Sequence, residues 1–236
     1  MHKRVKIECS DCNADCFIKH CSREYISLIN EKKNQVVFGK GQYVFREGDP
    51  VSGIYFIQQG KVKVTSSGQR DREQIVRLAG DGHILGHRAY GRETHHINAV
   101  TLEESRICFT DNDILYNAFK ANFEFLYSIM MFYSRELRKS EQRTKNFAQM
   151  TVEEKVIFAL LYIIEIFGFN KKENTINASL SRQDIADIAG TNADQVSRII
   201  AFLKKEKLVS TQGKKILIKN YEGLKKSISR YVTTSF

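Results

Sequence analysis

Apolar residues are spaced in two different ways along this chain, and the change falls near Asn112. Before it, the runs QVVF, QYVF, GIYFIQ, KVKVTS, EQIVRL and SRICFT alternate with the turn clusters GKGQ, REGDP, QQG, SSGQRD and AGDG, a pattern that predicts short strands. Ten of the fourteen glycines lie between Gly39 and Gly91, and the only proline, Pro50, sits in one of the turns. Such regular spacing predicts a sandwich or barrel with little room for parallel crossovers. After Asn112 the period becomes helical: Leu115, Phe119, Phe123, Leu126, Met130, Tyr133 and Leu137 recur at steps of three and four. A stripe of this length predicts a coiled-coil-like dimer seam, with packing against the chain's own β region as the alternative. A second helical block covers Val152 to Phe167.

Residues 181 to 200, SRQDIADIAGTNADQVSRII, have the spacing of a helix-turn-helix. Ser181 and Asp184 form a capping-type start, Thr191 or Asn192 can cap the second helix, and Gly190 supplies a turn that would be costly for a residue with a Cβ. Ile185, Ala186 and Ala189 are expected to face inward, with Val196 and Ile199 on the buried side of the second helix. An ordinary helical hairpin would share this pattern. The following LVSTQGKKILIKN predicts a two-stranded wing turning at Gly213. In such a motif the early residues of the second helix enter the major groove, which makes Asp194, Gln195, Ser197 and Arg198 the candidate base readers. Arg198 has a second possible role, holding phosphate alone. Charge favours nucleic acid. From Arg198 onward there are ten Lys or Arg against Glu206 and Glu222, so a net +8 of the chain's +10 lies there, and Lys204, Lys205, Lys214 and Lys215 are candidates for phosphate contacts.

The 236 residues suffice for one large domain or two modest ones, and 42% hydrophobic with 27% charged residues is an ordinary globular balance. The start, MHKRVKIECSDC, has no apolar stretch behind its basic residues, and the run Phe158 to Phe169 is interrupted by Glu165 and too short to span a bilayer. A cytoplasmic protein is expected, with no membrane partner. In a reducing compartment five cysteines point to metal or redox chemistry rather than disulfide staples. Cys9, Cys12, Cys16 and Cys21 fall within thirteen residues, and Cys108 stands alone in SRICFT. Short loops bringing thiolates together suit zinc or an iron–sulfur cluster; a thiol switch and a merely structural role are the other readings. His83, His87, His95 and His96 form a local group that could ligate metal or haem, or belong to a solvated loop. The spacing Cys9-x-x-Cys12 also occurs in thiol oxidoreductases, but no βαβ pattern surrounds it and the basic C-terminal region would go unexplained. No enzymatic constellation emerges.

The stretches KGQYVFREGDPVSGIYFIQQGKVKV, GDGHILGHRAYG and LSRQDIADIAGTNADQVSRII together resemble the Crp/Fnr family of bacterial transcription regulators, and the resemblance extends over nearly the whole sequence. It implies an α+β architecture: a cysteine-rich segment (1–24), a jelly-roll sensor domain like those that bind cyclic nucleotides (25–111), a dimerisation helix (112–146) and a winged helix-turn-helix (147–236). It further implies a homodimer on a pseudo-palindromic promoter site, in contact with RNA polymerase. In the Fnr-like branch the reading residues run Glu, two spacers, Ser, Arg; here Asp194, Ser197 and Arg198 stand in that pattern, with an acid one methylene shorter. Members that bind cyclic AMP carry a Gly-Glu pair for the ribose and an Arg-Ser or Arg-Thr pair for the phosphate. His87 stands where the Glu would be, and His95, His96 and Ile97 where the phosphate pair would be, which argues against cyclic AMP unless Arg88 or Arg92 compensates.

The Fnr branch also ligates an oxygen-labile [4Fe-4S] cluster with three N-terminal cysteines and a fourth in the β domain, just after a Leu-Glu-x-Ser stretch. Leu102, Glu103, Glu104 and Ser105 precede Cys108 in the same way. The N-terminal spacing departs from the family's: C-x2-C-x3-C-x4-C stands in place of C-x2-C-x5-C. Counting back from Gly41 puts Cys16 nearest the third ligand. The resemblance therefore implies Cys9, Cys12, Cys16 and Cys108 as the set, with Cys21 in reserve for Cys16; the alternative is that all four N-terminal cysteines bind metal and Cys108 is a small buried hydrophobe.

Overall fold

The computed structural model describes residues 7–68, 73–170, 172–213 and 215–231. The N-terminal MHKRVK, part of the turn SSGQRD and the candidate Lys214 lie outside the described residues. The chain forms two compact units, Met1–Val64 with Ala79–Ser140, and Thr65–Leu78 with Glu141–Phe236.

In the first unit a short 3-10 turn, Phe17–His20, leads into α1 (Arg23–Lys32) and then into the strands. These are β1 (Asn34–Phe38), β2 (Tyr43–Phe45), β3 (Gly53–Gln59), β4 (Val62–Ser67), β5 (Glu73–Ala79), β6 (Ile84–Leu85), β7 (Asn98–Thr101) and β8 (Ser105–Asp111), of which β5 up to Leu78 and the end of β4 from Thr65 group with the second unit. They make two four-stranded sheets, in the orders β1-β8-β3-β6 and β2-β7-β4-β5. All six runs read as strands in the sequence are strands; β6 and β7 are additional. In the first sheet β8 runs antiparallel between β1 and β3, so that Cys108 lies opposite Gln35 on one side and Phe56 on the other. Gly53 is required where β3 meets β8, because a Cβ there would stand 2.2 Å from the Thr110 carbonyl oxygen.

The run GIYFIQ is apolar on both faces, and the structure shows why. Ile57 points to one side of β3, whereas Ile54 and Phe56 point to the other and join a cluster with Ile18, Cys21, Ile29, Ile84, Leu115, Ala118, Phe125, Ile129 and Phe132. A strand covered on both faces needs apolar residues on both. The second cover comes from the N-terminal segment, α1, α2 (Asn112–Ala121) and α3 (Phe123–Gln149).

The long helical stripe is therefore two helices. Asn122 caps the end of α2 in an extended conformation (φ −130°, ψ 95°), its side-chain amide donates to the Ala118 carbonyl, and its carbonyl oxygen accepts from the Ser22 N–H at 2.6 Å. The stripe is divided as well. Leu115 is wholly buried against the β domain, and in α3 the inward residues are Phe125, Ile129 and Phe132. Phe123, Leu126, Met130 and Leu137 face outward, 72, 45, 54 and 61% exposed. These four fall at a and d positions of successive heptads, the spacing a coiled-coil seam requires, while the inward residues pack as the alternative expects.

In the second unit, α4 (Val152–Phe167) opens on a capping box in which Thr151 and Glu154 satisfy each other's backbone N–H groups, and it is buried on nearly every side, as its composition demands. There follow β9 (Phe169–Asn170), β10 (Thr175–Ile176), α5 (Arg182–Ala189), α6 (Ala193–Lys205), β11 (Val209–Gln212), β12 (Lys215–Ile218) and α7 (Tyr221–Ser227). The strands form one sheet in the order β11-β12-β10-β9. Segment 65–78 belongs to this unit: the Leu78 N–H donates to the Tyr162 hydroxyl at 2.9 Å, and the Val76 carbonyl accepts from the Arg143 guanidinium at 2.8 Å.

Candidate nucleic-acid interface and cysteine site

The helix-turn-helix is built from local signals that each do one physical job. Ser181 and Asp184 form a capping box at the start of α5, Gly190 adopts φ 68°, and the Asn192 side chain accepts from the Gln195 N–H at 2.9 Å to start α6. Of the two expected caps for α6, Asn192 is the one used. Ile185, Ala186, Ala189 and Val196 are buried as expected. Ile199 is only half-buried, and Ile200 and Leu203 carry the inner face beside Val196.

Asp194, Ser197 and Arg198 are exposed together on the first turns of α6. Gln195 is half-buried and takes a hydrogen bond from the Thr191 hydroxyl, so its amide is tied to the turn. The Ser197 hydroxyl donates to the Ala193 carbonyl at 2.8 Å, leaving its oxygen lone pairs outward. Lys204 donates to Thr211 at 3.1 Å, which anchors its ammonium beside the wing strand β11. The wing pairs Val209 to Gln212 with Ile218 to Lys215 and turns at Gly213, φ 57°.

The cysteine segment lies in the first unit. All five cysteines are free thiols. Cys9, Cys16 and Cys108 border the apolar cluster that contains Cys21. Burial pushes the Cys16 thiol up to about 12; the Ile18 amide pulls it back, and Cys12, Cys9 and Cys108 push it further. Burial also raises Cys108, with Cys9 and Cys12 adding to the rise and Gln35 and Lys33 opposing it. Cys21 rises to about 12 through burial, and Cys9 alone of the other cysteines acts on it. Cys9 and Cys12 thus lie close enough to act on both Cys16 and Cys108, whereas Cys9 alone acts on Cys21. Buried protonated thiols are poor nucleophiles, whereas a metal would displace their protons. Among the described residues, no three Cys, His, Asp or Glu side chains have the arrangement of a metal-ligand set.

Polar side chains fix this segment to the β domain. Asn30 accepts from the Cys9 N–H at 3.1 Å, Lys33 donates to the Ile7 carbonyl at 2.7 Å and to the Cys9 sulfur at 3.2 Å, and Gln35 donates to the Cys108 sulfur at 3.4 Å. Gly82 lets the following loop approach the segment, since a Cβ there would lie 2.8 Å from the Asp15 carbonyl oxygen. Phe17, next to Cys16, meets Phe132 of α3 edge-on with ring centroids 5.3 Å apart. Sequence reasoning missed Lys33, Gln35 and Phe17. Lys33 and Gln35 flank a strand start and look solvated, and only tertiary contact shows otherwise.

The histidines correct the solvated-loop reading. His87 and His95 are 3 and 2% exposed. His87 packs edge-on against Phe132 and Tyr133, and its carbonyl accepts from the Tyr133 hydroxyl. His95 stacks on Phe45 at 3.9 Å, and burial holds its pKa below the usual histidine value, with Asp49 opposing. His83 is half-buried and accepts from the Gly80 N–H, whereas His96 is exposed. Arg88 lies 3.7 Å from Glu136 of α3, and Ile97 is buried.

A β-roll domain, a long helix with an exposed apolar stripe and a basic winged helix-turn-helix make up the architecture of a DNA-binding regulator. Residues 35–122 match the cyclic nucleotide-binding domain family, and residues 154–227 match the Crp-like helix-turn-helix domain family. The anaerobic regulatory protein of Pasteurella multocida is 26% identical over 226 residues, covering 92% of this chain and 81% of that protein. The fumarate and nitrate reduction regulatory protein of Vibrio cholerae is 25% identical over 226 residues, covering 92% of this chain and 89% of its own. The fold is similar to that of FixK2 from Bradyrhizobium japonicum, with a TM-score of 0.73 at 18% identity over 86% of this chain and 99% of that one. The chain belongs to the Crp/Fnr family, in its Fnr branch. It is a sequence-specific DNA-binding transcription regulator and not an enzyme.

Proposed function

We propose that this regulator senses oxygen, nitric oxide or redox state through a [4Fe-4S] cluster held by Cys9, Cys12, Cys16 and Cys108, and transmits the state of that site to DNA as a homodimer. The observation that carries the reading is the placement of Cys9, Cys16 and Cys108 against one apolar cluster, which also contains Phe125, Ile129 and Phe132 of the helix that bears the exposed stripe. The donor chemistry fits, since four thiols, three on one short segment and one from a strand, are what an iron–sulfur cluster takes, and binding would draw them together from their present separation. When bound, the cluster would supply a group that oxidants dismantle. Cys21, influenced by Cys9 alone and built into the apolar cluster, acts as a core residue. The anaerobic role in the Pasteurella relative's name fits the same assignment.

The route from the site to the dimer seam runs through residues of one unit. Phe17 carries the position of Cys16 to Phe132, and the Ser22–Asn122 hydrogen bond fixes the segment to the break between α2 and α3. Holding the segment in place sets the direction in which α3 leaves the β domain, and with it the presentation of Phe123, Leu126, Met130 and Leu137. Losing the site frees the segment and weakens the seam. A dimer with one reading head per half-site loses most of its affinity when it separates.

On the DNA, Asp194, Ser197 and Arg198 read an Fnr-like half-site such as TTGA within a pseudo-palindrome, Gln195 supports the turn, and Lys204 and Lys214 hold phosphates. RNA polymerase is the further partner, and the cytoplasm the compartment; no described helix is long and apolar enough to cross a membrane. Cyclic AMP is not the effector in this reading, because buried apolar Ile97 and buried His87 and His95 stand where ribose and phosphate would need an acid, a cation and a hydroxyl. Protein purified without air and analysed for iron and acid-labile sulfide tests the assignment. Four of each per chain are expected in the wild type, with loss in Cys108→Ser; a wild-type chain free of both sinks it.

A further inference from the structure

Lys33 is 6% exposed, an unusual place for an ammonium. It follows α1, and its own N–H closes that helix on the Ile29 carbonyl at 2.7 Å, so its side chain starts from a fixed point. The ammonium donates to the Ile7 carbonyl and to the Cys9 sulfur. Among the described residues it has no carboxylate partner. A buried cation without an anion is strongly unfavourable, and a Met would fill the same space beside the apolar cluster without that cost. Among the described residues, the hydrogen-bonded neighbour at which the anion is to be sought is the Cys9 sulfur. The lysine's charge extends further, since it also opposes the rise at Cys108 across the site. Four cysteine thiolates around iron or zinc leave a net negative charge, and partners beyond the ligands tune such sites.

We propose that Lys33 is a positioning residue of the cysteine site, a buried cation that holds the Cys9 sulfur and offsets the negative charge of the four-thiolate ligand set. The inference rests on the cluster assignment above. With the lysine present, the site is harder to oxidise. Removing its charge makes the bound group more electron-rich, shifts its reduction potential to more negative values and speeds its loss in air.

The test uses the full chain, reconstituted without air with ferrous iron and sulfide, as wild type, Lys33→Met, Lys33→Gln and Lys33→Arg. Iron and sulfide content, reduction potential and the rate of absorbance loss after admitting air are read for each, with circular dichroism to confirm folding. Lys33→Gln removes the charge but keeps a polar amide donor, on a side chain one atom shorter, so it remains informative if Lys33→Met does not fold. The expected result is a more negative potential and at least threefold faster bleaching in Lys33→Met and Lys33→Gln, with Lys33→Arg close to wild type. If the wild type loads and Lys33→Gln matches it in potential and bleaching rate, the role of the charge is overturned while the cluster assignment stands. If the wild type takes up no iron and sulfide, the assignment falls and this inference falls with it.

Discussion

Met130→Glu probes the outer face of α3, where the exposed stripe is assigned to a dimer seam. Fully burying a Met side chain contributes about 1.5–3 kcal/mol. Met130 is 54% exposed in the protomer, so roughly half of that, about 1 kcal/mol, remains to be gained on association. Two-fold symmetry makes the position count twice, giving about 2 kcal/mol before any cost of placing two carboxylates in an apolar seam. At about 1.4 kcal/mol per tenfold, the dimer dissociation constant should rise at least roughly thirtyfold. Sedimentation equilibrium across a dilution series reads this directly. Circular dichroism should show an unchanged fold, because the residues holding α3 to the β domain are Phe125, Ile129 and Phe132 on the other side. An unchanged dissociation constant would refute the seam, and unfolding of the β domain would show that the stripe faces inward.

Arg198→Ala should weaken binding by roughly 1–3 kcal/mol on the cognate site and relax preference at one base pair in a selection experiment; an equal loss on every sequence would assign it to phosphate alone. Lys204→Ala should weaken all sites alike and reduce the slope of log affinity against log salt by about one. Gly190→Ala has open space around the new methyl, so it isolates the backbone cost of φ 68°, about 1 kcal/mol or somewhat more, read as a lower unfolding midpoint of the DNA-binding domain. Burial alone would raise the Glu154 carboxyl, but Arg230 and Thr151 hold it below the ordinary range. A lowered folded-state pKa adds stability above the unfolded value and loses it as pH falls through the folded one. The stability gap between wild type and Glu154→Gln should therefore be full at neutral pH and close in acid; a gap independent of pH would contradict the ion pair.

The elements that could be read from sequence are those specified by neighbours in the chain. Ser181, Asp184, Gly190 and Asn192 each act within four residues, and α5 starts and stops, and α6 starts, where they indicate. The two-residue β6 is too short to carry a period, and β7, buried at every position, shows no alternation. Asn122 breaks the long helix without breaking its stripe, since Phe119 and Phe123 keep helical spacing across it and the cause of the break lies a hundred residues away at Ser22. Lys33, His87 and His95 are polar residues made internal by segments distant in sequence. The cysteine positions were evident, but the spacing left Cys16 and Cys21 close rivals. Their surroundings differ only in three dimensions: Cys21 lies within the apolar cluster, whereas Cys16 borders it together with Cys9 and Cys108.

Whether the cysteine site governs DNA binding is tested most directly by fluorescence anisotropy on a labelled pseudo-palindromic duplex, with anaerobic protein titrated before and after exposure to air. Wild-type protein should bind at least tenfold more weakly after air while releasing iron and sulfide, and Cys108→Ser should bind weakly in both conditions. Equal affinity of the wild type in both atmospheres, or undiminished oxygen sensitivity in Cys108→Ser, would contradict the account.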